Sequence, residues 1–169
     1  LTIVYNVIIE NVNMKIPEKL QPLINGLSAG FVISLLALIT LEAPFGVWLV
    51  FSFGSSALIV FVFYESEFAQ PKNIFFGHLI SIIIGILINQ LMGISFISLG
   101  LSVGVCVSVM TYLKIVHPPA AANPLIALFA DVSFDFILFP IITGSIMLIV
   151  VSFFINRFIL RREYPKKWF

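Results

Sequence analysis

The stretch IFFGHLISIIIGILINQLM, residues 74–92, contains no Asp, Glu, Lys or Arg. A bilayer core is about 30 Å thick and takes roughly 20 apolar residues in helical form, so this stretch alone predicts a transmembrane helix. Cutting the rest of the chain at charges, prolines and glycines gives six candidate spans in all. These spans are residues 23–41, 45–63, 74–92, 96–114, 116–132 and 136–157. The fifth span is short and is interrupted by prolines.

The composition of the 169 residues agrees with a membrane protein. Hydrophobic residues make up 60% of the chain, charged residues only 10%, and the mean hydropathy is +1.14. Soluble domains carry about 25% charged residues, so this chain has too few to coat a surface exposed to water. A soluble enzyme and a basic nucleic-acid binder are therefore excluded. We expect an all-α membrane protein with about six transmembrane helices and with the lipid bilayer as its surroundings.

The placement of the charges supports six crossings. If the N-terminus is cytoplasmic, all nine Lys and Arg fall on the cytoplasmic side, as the positive-inside rule requires. A re-entrant loop at residues 116–132 would instead put the basic tail outside. We therefore expect both termini to be cytoplasmic, in a bacterial inner membrane. The predicted organisation is an interfacial N-terminal segment, a transmembrane domain and a basic cytoplasmic tail, at residues 1–22, 23–157 and 158–169.

Two segments of the sequence resemble each other. Residues 26–34 read GLSAGFVIS and residues 100–108 read GLSVGVCVS, and the same offset of 74 pairs Pro44 with Pro118. The first and fourth spans start on opposite sides of the membrane, so this pattern predicts an inverted repeat of three plus three helices. We expect the glycines in these segments to serve helix packing, and their small faces would also allow a homo-oligomer.

The second and fifth spans each carry a helix-breaking signal. The second contains Ser52-Phe53-Gly54-Ser55-Ser56, and the fifth contains Asn123-Pro124. Proline lacks an N–H and disfavours helical geometry at the residue before it, while Ser and Asn are good N-cap residues. We predict half-helices that start near Gly54 and Pro124, with their N-termini pointing toward each other. A plain proline kink and a packing notch are the alternative interpretation.

Such helix ends would suit a small anion. Free N–H groups and the helix dipole favour negative charge, and neutral hydroxyl and amide donors would bind a monovalent anion without trapping it. His117 is included because it opens the broken span and can change charge near neutral pH. The candidate substrate-binding residues are Gly54, Ser55, Ser56, His117 and Asn123.

A second group of residues is predicted to act in gating or to shape the site. Either histidine could assist anion entry or couple it to protons, whereas the alternative, favoured for His78, is a hydrogen bond to a backbone carbonyl at the interface. No phosphate loop, nucleophile motif or set of metal ligands is present. We therefore expect no enzyme, no metal and no cofactor. The gating or structural candidates are Pro118, Pro119, Pro124 and His78.

Residues 117–124, HPPAAANP, resemble the signature of the HPP family of integral membrane proteins. A second block, FGSSALIVF at 53–61 with AQPKN at 69–73 and GH at 77–78, resembles the family's other preserved stretch. The resemblance covers roughly residues 22–157, and Ala121 stands where the family often has Gly. HPP proteins are usually described as having four spans, which differs from the six predicted above.

The resemblance implies membrane transport, because plastid and cyanobacterial relatives are linked to nitrite movement. Together with the predicted anion site, this gives a channel or secondary transporter for a small monovalent anion, with nitrite as the first candidate. One alternative is a pore for a small neutral or weak-acid solute such as nitrous acid. Another is a non-transporting membrane scaffold or sensor subunit.

Overall fold

The computed structural model describes residues 17–42 and 47–168, and over these residues the chain is helical and has no strand. The predicted all-α architecture is therefore confirmed. Most of the predicted interfacial segment, and Pro44 of the predicted repeat, lie outside the described residues. The described α-helices are α1 (Gln21–Glu42), α2 (Ser52–Val62), α3 (Pro71–Met92), α4 (Phe96–Tyr112), α5 (Asn123–Phe129) and α6 (Thr143–Phe154).

The described helices differ in whether they can cross a bilayer. Three helical segments are long and apolar enough to do so: Glu18–Glu42, Pro71–Met92 and Ile137–Ile159. The last of these is α6 with an additional turn at each end, and the turn before α6 contains a kink at Phe139, whose φ of −124° and ψ of 116° are not helical. Helix α4 has 17 residues, or about 25 Å at the usual helical rise. Helices α2 and α5 have only 11 and 7 residues, so each reaches only part of the way across.

Local sequence explains where α3 and α4 begin and end. Pro71 is the first residue of α3, where its missing N–H costs nothing. The helix stops at Gly93, whose φ of 62° is a left-handed conformation that glycine adopts without strain. Ser95 then starts α4 with a reciprocal capping box to Ser98, which satisfies free N–H groups of the first turn. A tight turn therefore joins two antiparallel helices.

The basic residues gather at one end of the bundle. Lys72, Lys114 and Lys167 line a single cavity there, although they come from the start of α3, the end of α4 and the tail. Arg162 joins the same end, because its guanidinium donates to the carbonyl of Phe61 at the end of α2. We call this the basic end.

Contacts at the two ends define the course of the chain. Arg162 also donates to the side chain of Asn25, so α1 starts at the basic end. At the other end the amide of Asn89 donates to Asp131, which follows α5. Helices α1 to α4 therefore alternate in direction. The segment from residue 115 leaves the basic end, and α5 completes the path to the opposite end.

The residues after α6 pack against the helices. Tyr164 is buried, and its hydroxyl donates to the carbonyl of Ala69 at 2.9 Å. Burial raises the pKa of this hydroxyl above its ordinary value, so it stays a neutral donor. The backbone N–H of Lys166 donates to the side chain of Gln70. The last part of the chain thus closes the basic end of the bundle.

The predicted packing role of the repeat glycines is wrong within this chain. Among the residues that the structure describes, a Cβ added at Gly26, Gly30, Gly100 or Gly104 would meet nothing within 4 Å. The glycines that do allow close approach are Gly77 and Gly85 on α3 and Gly144 on α6. A Cβ at Gly77 would lie 2.8 Å from the Cβ of His117, and one at Gly85 would lie 2.6 Å from the Cα of Pro124.

Candidate functional site

Helices α2 and α5 begin beside each other inside the bundle. Their first residues are Ser52 and Asn123, both buried, and the hydroxyl of Ser52 donates to Oδ1 of Asn123 at 2.7 Å. Pro124 is the second residue of α5, where a proline fits without breaking the helix. Residues 47–50 precede α2 in non-helical form. The two short helices therefore start from one common point in the interior.

The amide nitrogen of Asn123 fixes the state of His78. It has two hydrogens: one is donated to Oγ of Ser81 at 2.9 Å, and the other is shared between the backbone carbonyl of His78 at 3.3 Å and the ring of the same residue. It also lies 3.0 Å from Nδ1 of His78. A carbonyl can only accept, so the amide is oriented with its N–H groups toward His78. Nδ1 of His78 must then accept, and the proton of the neutral ring is on Nε2.

The partners of His117 fix its state in the same way. Its Nδ1 lies 2.7 Å from the backbone carbonyl of Phe68, so Nδ1 carries the proton and Nε2 is the acceptor. Oγ of Ser56 lies between the two rings, 2.9 Å from Nε2 of His78 and 2.8 Å from Nε2 of His117. His78 therefore donates to Ser56, and Ser56 can donate to His117.

These contacts make one directed chain of hydrogen bonds that carries no formal charge. It runs from the amide of Asn123 through His78, Ser56 and His117 to the carbonyl of Phe68. The rings of His78 and His117 meet edge to face with centroids 4.9 Å apart. Buried polar groups are costly unless they are paired, and here each has a partner. We call this set the polar cluster: Ser52, Ser56, His78, Ser81, His117 and Asn123.

The structure brings together only part of the predicted site. Ser56, His117, Asn123 and the gating candidate His78 are in the polar cluster, and His78 is fully buried. Gly54 and Ser55 are exposed and lie outside the cluster, which therefore contains only part of the predicted set, although Ser55 lines a cavity together with the cluster residue Ser52. Ser52 and Ser56 are one turn apart on one face of α2, and Ser56 packs against the histidines, whereas Ser55 lies beside Ser52 at the edge of that face.

The prolines shape the backbone around the cluster. Pro118 and Pro119 start the 3-10 turn Pro118–Ala122, and His117 is the extended residue just before it. Pro124 then starts α5. Ser52 and Ser81 were missed as site residues, although their spacing carried a signal. Ser52 precedes Ser56 by four residues and Ser81 follows His78 by three, which are same-face spacings in a helix.

A basic cavity lies next to the polar cluster. It has a volume of about 250 Å³ and is lined by Glu67, Gln70, Lys72, Asn73, Lys114 and Lys167. We call it the basic vestibule. The amide of Asn73 donates to the carbonyl of Val116, the residue before His117. Glu67 likewise precedes Phe68, whose carbonyl binds the His117 ring. Three lysines against one glutamate favour an anion at this entrance.

Within the described residues, no group of three or more His, Cys, Asp or Glu side chains could hold a metal ion. The atoms of the cluster itself can do two kinds of chemistry. The cluster can offer neutral hydrogen-bond donors to a solute, and its imidazoles can bind a proton. An apolar helical bundle with such a buried polar cluster is the architecture of a polytopic helical membrane protein.

Comparison with known proteins identifies the family. Residues 14–165 match the transmembrane region of the HPP proteins, so the chain belongs to the HPP family of integral membrane proteins. Two curated transmembrane proteins of Dictyostelium discoideum are similar. One is 32% identical over 128 residues, which is 71% of this chain and 45% of that protein. The other is 29% identical over 130 residues, 72% and 42% respectively.

The chain thus spans less than half the length of these two relatives. No solved structure gives a significant match. The segment that carries the resemblance in the sequence, His117 to Pro124, contains two cluster residues and the three prolines of the predicted gating or structural group. The family's second stretch carries Ser56, and it ends with His78. The motifs that define the family therefore supply most of the polar cluster.

Proposed function

We propose that the protein is a channel or secondary transporter for a small monovalent anion, with nitrite as the first candidate. The observation that carries the proposal is the buried polar cluster at the point where two short helices begin. Polar and ionisable groups inside a membrane bundle are costly and commonly mark a solute pathway. Interrupted helices near the midplane are typical of solute sites in transporters.

The chemistry of the cluster supports a monovalent anion. Its donors are hydroxyls, an amide and imidazoles, and none is a fixed positive charge. Neutral donors bind an anion weakly enough for it to leave again. In the described arrangement these donors bind one another, so an anion must displace at least one internal bond. We infer that the arrangement is closed and that the Ser52–Asn123 bond opens during transport.

The basic vestibule supports entry from the basic end. Lysines around a cleft raise the local concentration of anions and steer them inward. The positive-inside rule makes this end the cytoplasmic one. The inverted repeat belongs to the same proposal, because α1 and α4 run in opposite directions through the bundle, as related units of that kind require.

A second candidate follows from the same cluster. Because its hydrogen bonds leave no formal charge, it would also suit a neutral solute such as a protonated weak acid. A charged and a neutral substrate differ in their response to membrane potential. Anion movement through a channel is driven by potential, whereas movement of a neutral acid is not.

Stopped-flow flux into proteoliposomes tests the proposal. Purified protein is reconstituted, and uptake of nitrite, nitrate, formate and chloride is compared with protein-free vesicles. We expect protein-dependent uptake of at least one monovalent anion, and loss of that uptake in Ser56→Ala. Equal rates with and without protein for every anion would contradict transport and leave the scaffold or sensor role.

A further inference from the structure

The two histidines of the polar cluster differ in their ability to take up a proton in place. A second proton on His78 would have to sit on Nδ1, which faces the amide nitrogen of Asn123 at 3.0 Å. Two donors would then oppose each other. Asn123 is held against turning over, because its oxygen would then face the backbone carbonyl of His78, which can only accept. His78 is therefore locked in its neutral form.

His117 has no such conflict. Its free nitrogen, Nε2, lies 2.8 Å from the hydroxyl oxygen of Ser56. The hydrogen of that hydroxyl has a second acceptor, the backbone carbonyl of Ser52 at 3.1 Å. A hydroxyl oxygen can accept two hydrogen bonds, so Ser56 can receive Nε2–H from both rings at once. Protonation of His117 thus requires only that one hydroxyl hydrogen rotates.

We propose that His117 is the proton-binding residue that couples anion movement to protons, with Ser56 as the positioning residue that switches acceptors. The inference rests on the proposed transport function and adds its coupling ion. The proton comes from solution, forms an N–H bond at Nε2 of His117, and is returned to solution when the anion leaves. No other covalent bond forms or breaks.

Burial explains why proton and anion move together. A charge buried without a counter-charge costs several kcal/mol in protein interiors. The resting cluster is neutral, so a lone anion or a lone proton would each add an unpaired charge. A proton on His117 beside a monovalent anion restores neutrality. The expected stoichiometry is one proton for each anion, and net transport carries no charge.

The groups that surround His117 favour this residue as the one that binds the proton. Helix α2 contributes Ser56, which bonds the His117 ring and does not titrate near neutral pH. Ser52 and Asn123, which belong to the same cluster, do not titrate there either. From α4 the thiol of Cys106 packs in the same apolar group as Ala120. The titratable side chain in ring contact among the described residues is that of His78. The charged groups near the segment are those of the basic vestibule: Glu67, Lys72, Lys114 and Lys167.

Proteoliposomes that contain a pH-sensitive dye test this coupling. Nitrite and nitrate are the probes, and potassium with valinomycin clamps or imposes the potential. For the wild-type protein we expect an inward proton gradient to drive uptake at zero potential, with acidification of the lumen. An imposed potential alone should drive none. Nitrate is informative because nitric acid is strong, so its coupled uptake needs a proton bound to the protein.

The variant His117→Gln keeps an amide that can donate to Phe68 but cannot bind the proton. We expect its rate of proton-driven uptake to be at least tenfold lower than that of the wild type. If wild-type flux were driven by the membrane potential and did not respond to the proton gradient, the proposed proton coupling would be wrong. Anion transport itself would still be supported. Proton-driven nitrite uptake that persists in His117→Gln would also overturn the proton coupling and favour a neutral-acid pore. No anion flux in the wild type would instead overturn the proposed function.

Discussion

Ser52 and Asn123 are 71 residues apart in the sequence, yet a 2.7 Å hydrogen bond joins the first residue of α2 to the first residue of α5. Neither helix can span the bilayer alone, so the bond ties two partial crossings into one continuous structural unit. Asn123 also holds His78 and Ser81 on α3. One asparagine side chain therefore links three of the helices that surround the polar cluster.

Removal of the Ser52 hydroxyl tests this link. Ser52→Ala leaves Oδ1 of Asn123 buried without its partner, so we expect the free energy of unfolding to fall by about 1–3 kcal/mol. Unfolding in mild detergent measures the change. Ser108→Ala is the control, because Ser108 is exposed and its hydroxyl donates only within its own helix. If Ser52→Ala and Asn123→Ala were additive in the double variant, the proposed link would be wrong.

The two adjacent serines of α2 give a sharp test of the site. Ser56→Ala removes the bridge between the histidines, and we expect anion flux to fall by about tenfold, or roughly 1.4 kcal/mol in the barrier. Ser55→Ala should lower flux much less, because Ser55 is exposed and is not one of the residues of the hydrogen-bond chain, although it lines a cavity with Ser52. Stopped-flow uptake compares the two at equal protein density. If both variants lost flux equally, Ser55 would take part in anion binding as predicted from the sequence. The proposal that the polar cluster alone forms the site would then be wrong.

Hydropathy was enough to predict the helical architecture, because transmembrane length and apolar composition are properties of local sequence. Pro124 and the stretch at residues 52–56 likewise indicated where the two short helices begin. The faces of those helices could not be predicted. Helix α2 is apolar nearly all round, so its sequence carries no period that says whether Ser55 or Ser56 points inward.

The glycines show the same limit of prediction from sequence, because the pattern does not say which helix face is packed. Gly26 and Gly30 have the spacing of a packing face, and so do Gly77 and Gly85 with Ser81 between them. Within the described residues, α3 and α6 use glycines for close approach, and the choice depends on which residues surround these helices. The pairing of His78 with His117 is equally a product of tertiary packing, since the residues that join them come from α2 and α5.

Gly85 tests this packing directly. Gly85→Ala would push a methyl group into the backbone of Pro124, which must shift to make room. Overpacking of this kind costs about 1–3 kcal/mol, so we expect a lower unfolding temperature and reduced flux. Gly100→Ala is the matched control, since a Cβ there meets nothing within 4 Å. A Gly85→Ala protein as stable as Gly100→Ala would show that α3 and α5 do not approach this closely.

The basic vestibule predicts a salt-dependent effect of charge. Lys72→Gln or Lys167→Gln should raise the anion KM by about threefold at low ionic strength, and the difference should shrink as salt screens the field. Glu67→Gln makes the vestibule more positive and should lower the KM. Lys166→Gln is the control, because Lys166 pairs with Glu65 outside this cavity. If the lysine variants and the glutamate variant did not change the KM in opposite directions, the vestibule would not lie on the anion pathway.

The buried tyrosine of the tail predicts that residues after α6 contribute to stability. Tyr164→Phe keeps the ring but removes the hydroxyl that donates to the carbonyl of Ala69. We expect a loss of about 1 kcal/mol, the usual contribution of a neutral hydrogen bond, because the carbonyl is left without this donor. Tyr112→Phe should change nothing, since Tyr112 is 86% exposed. Thermal unfolding of both variants in the same detergent makes the comparison. If Tyr164→Phe were as stable as the wild type, the docking of the tail would not depend on this bond, and Arg162, which binds Asn25 and Phe61, would be the residue that holds it.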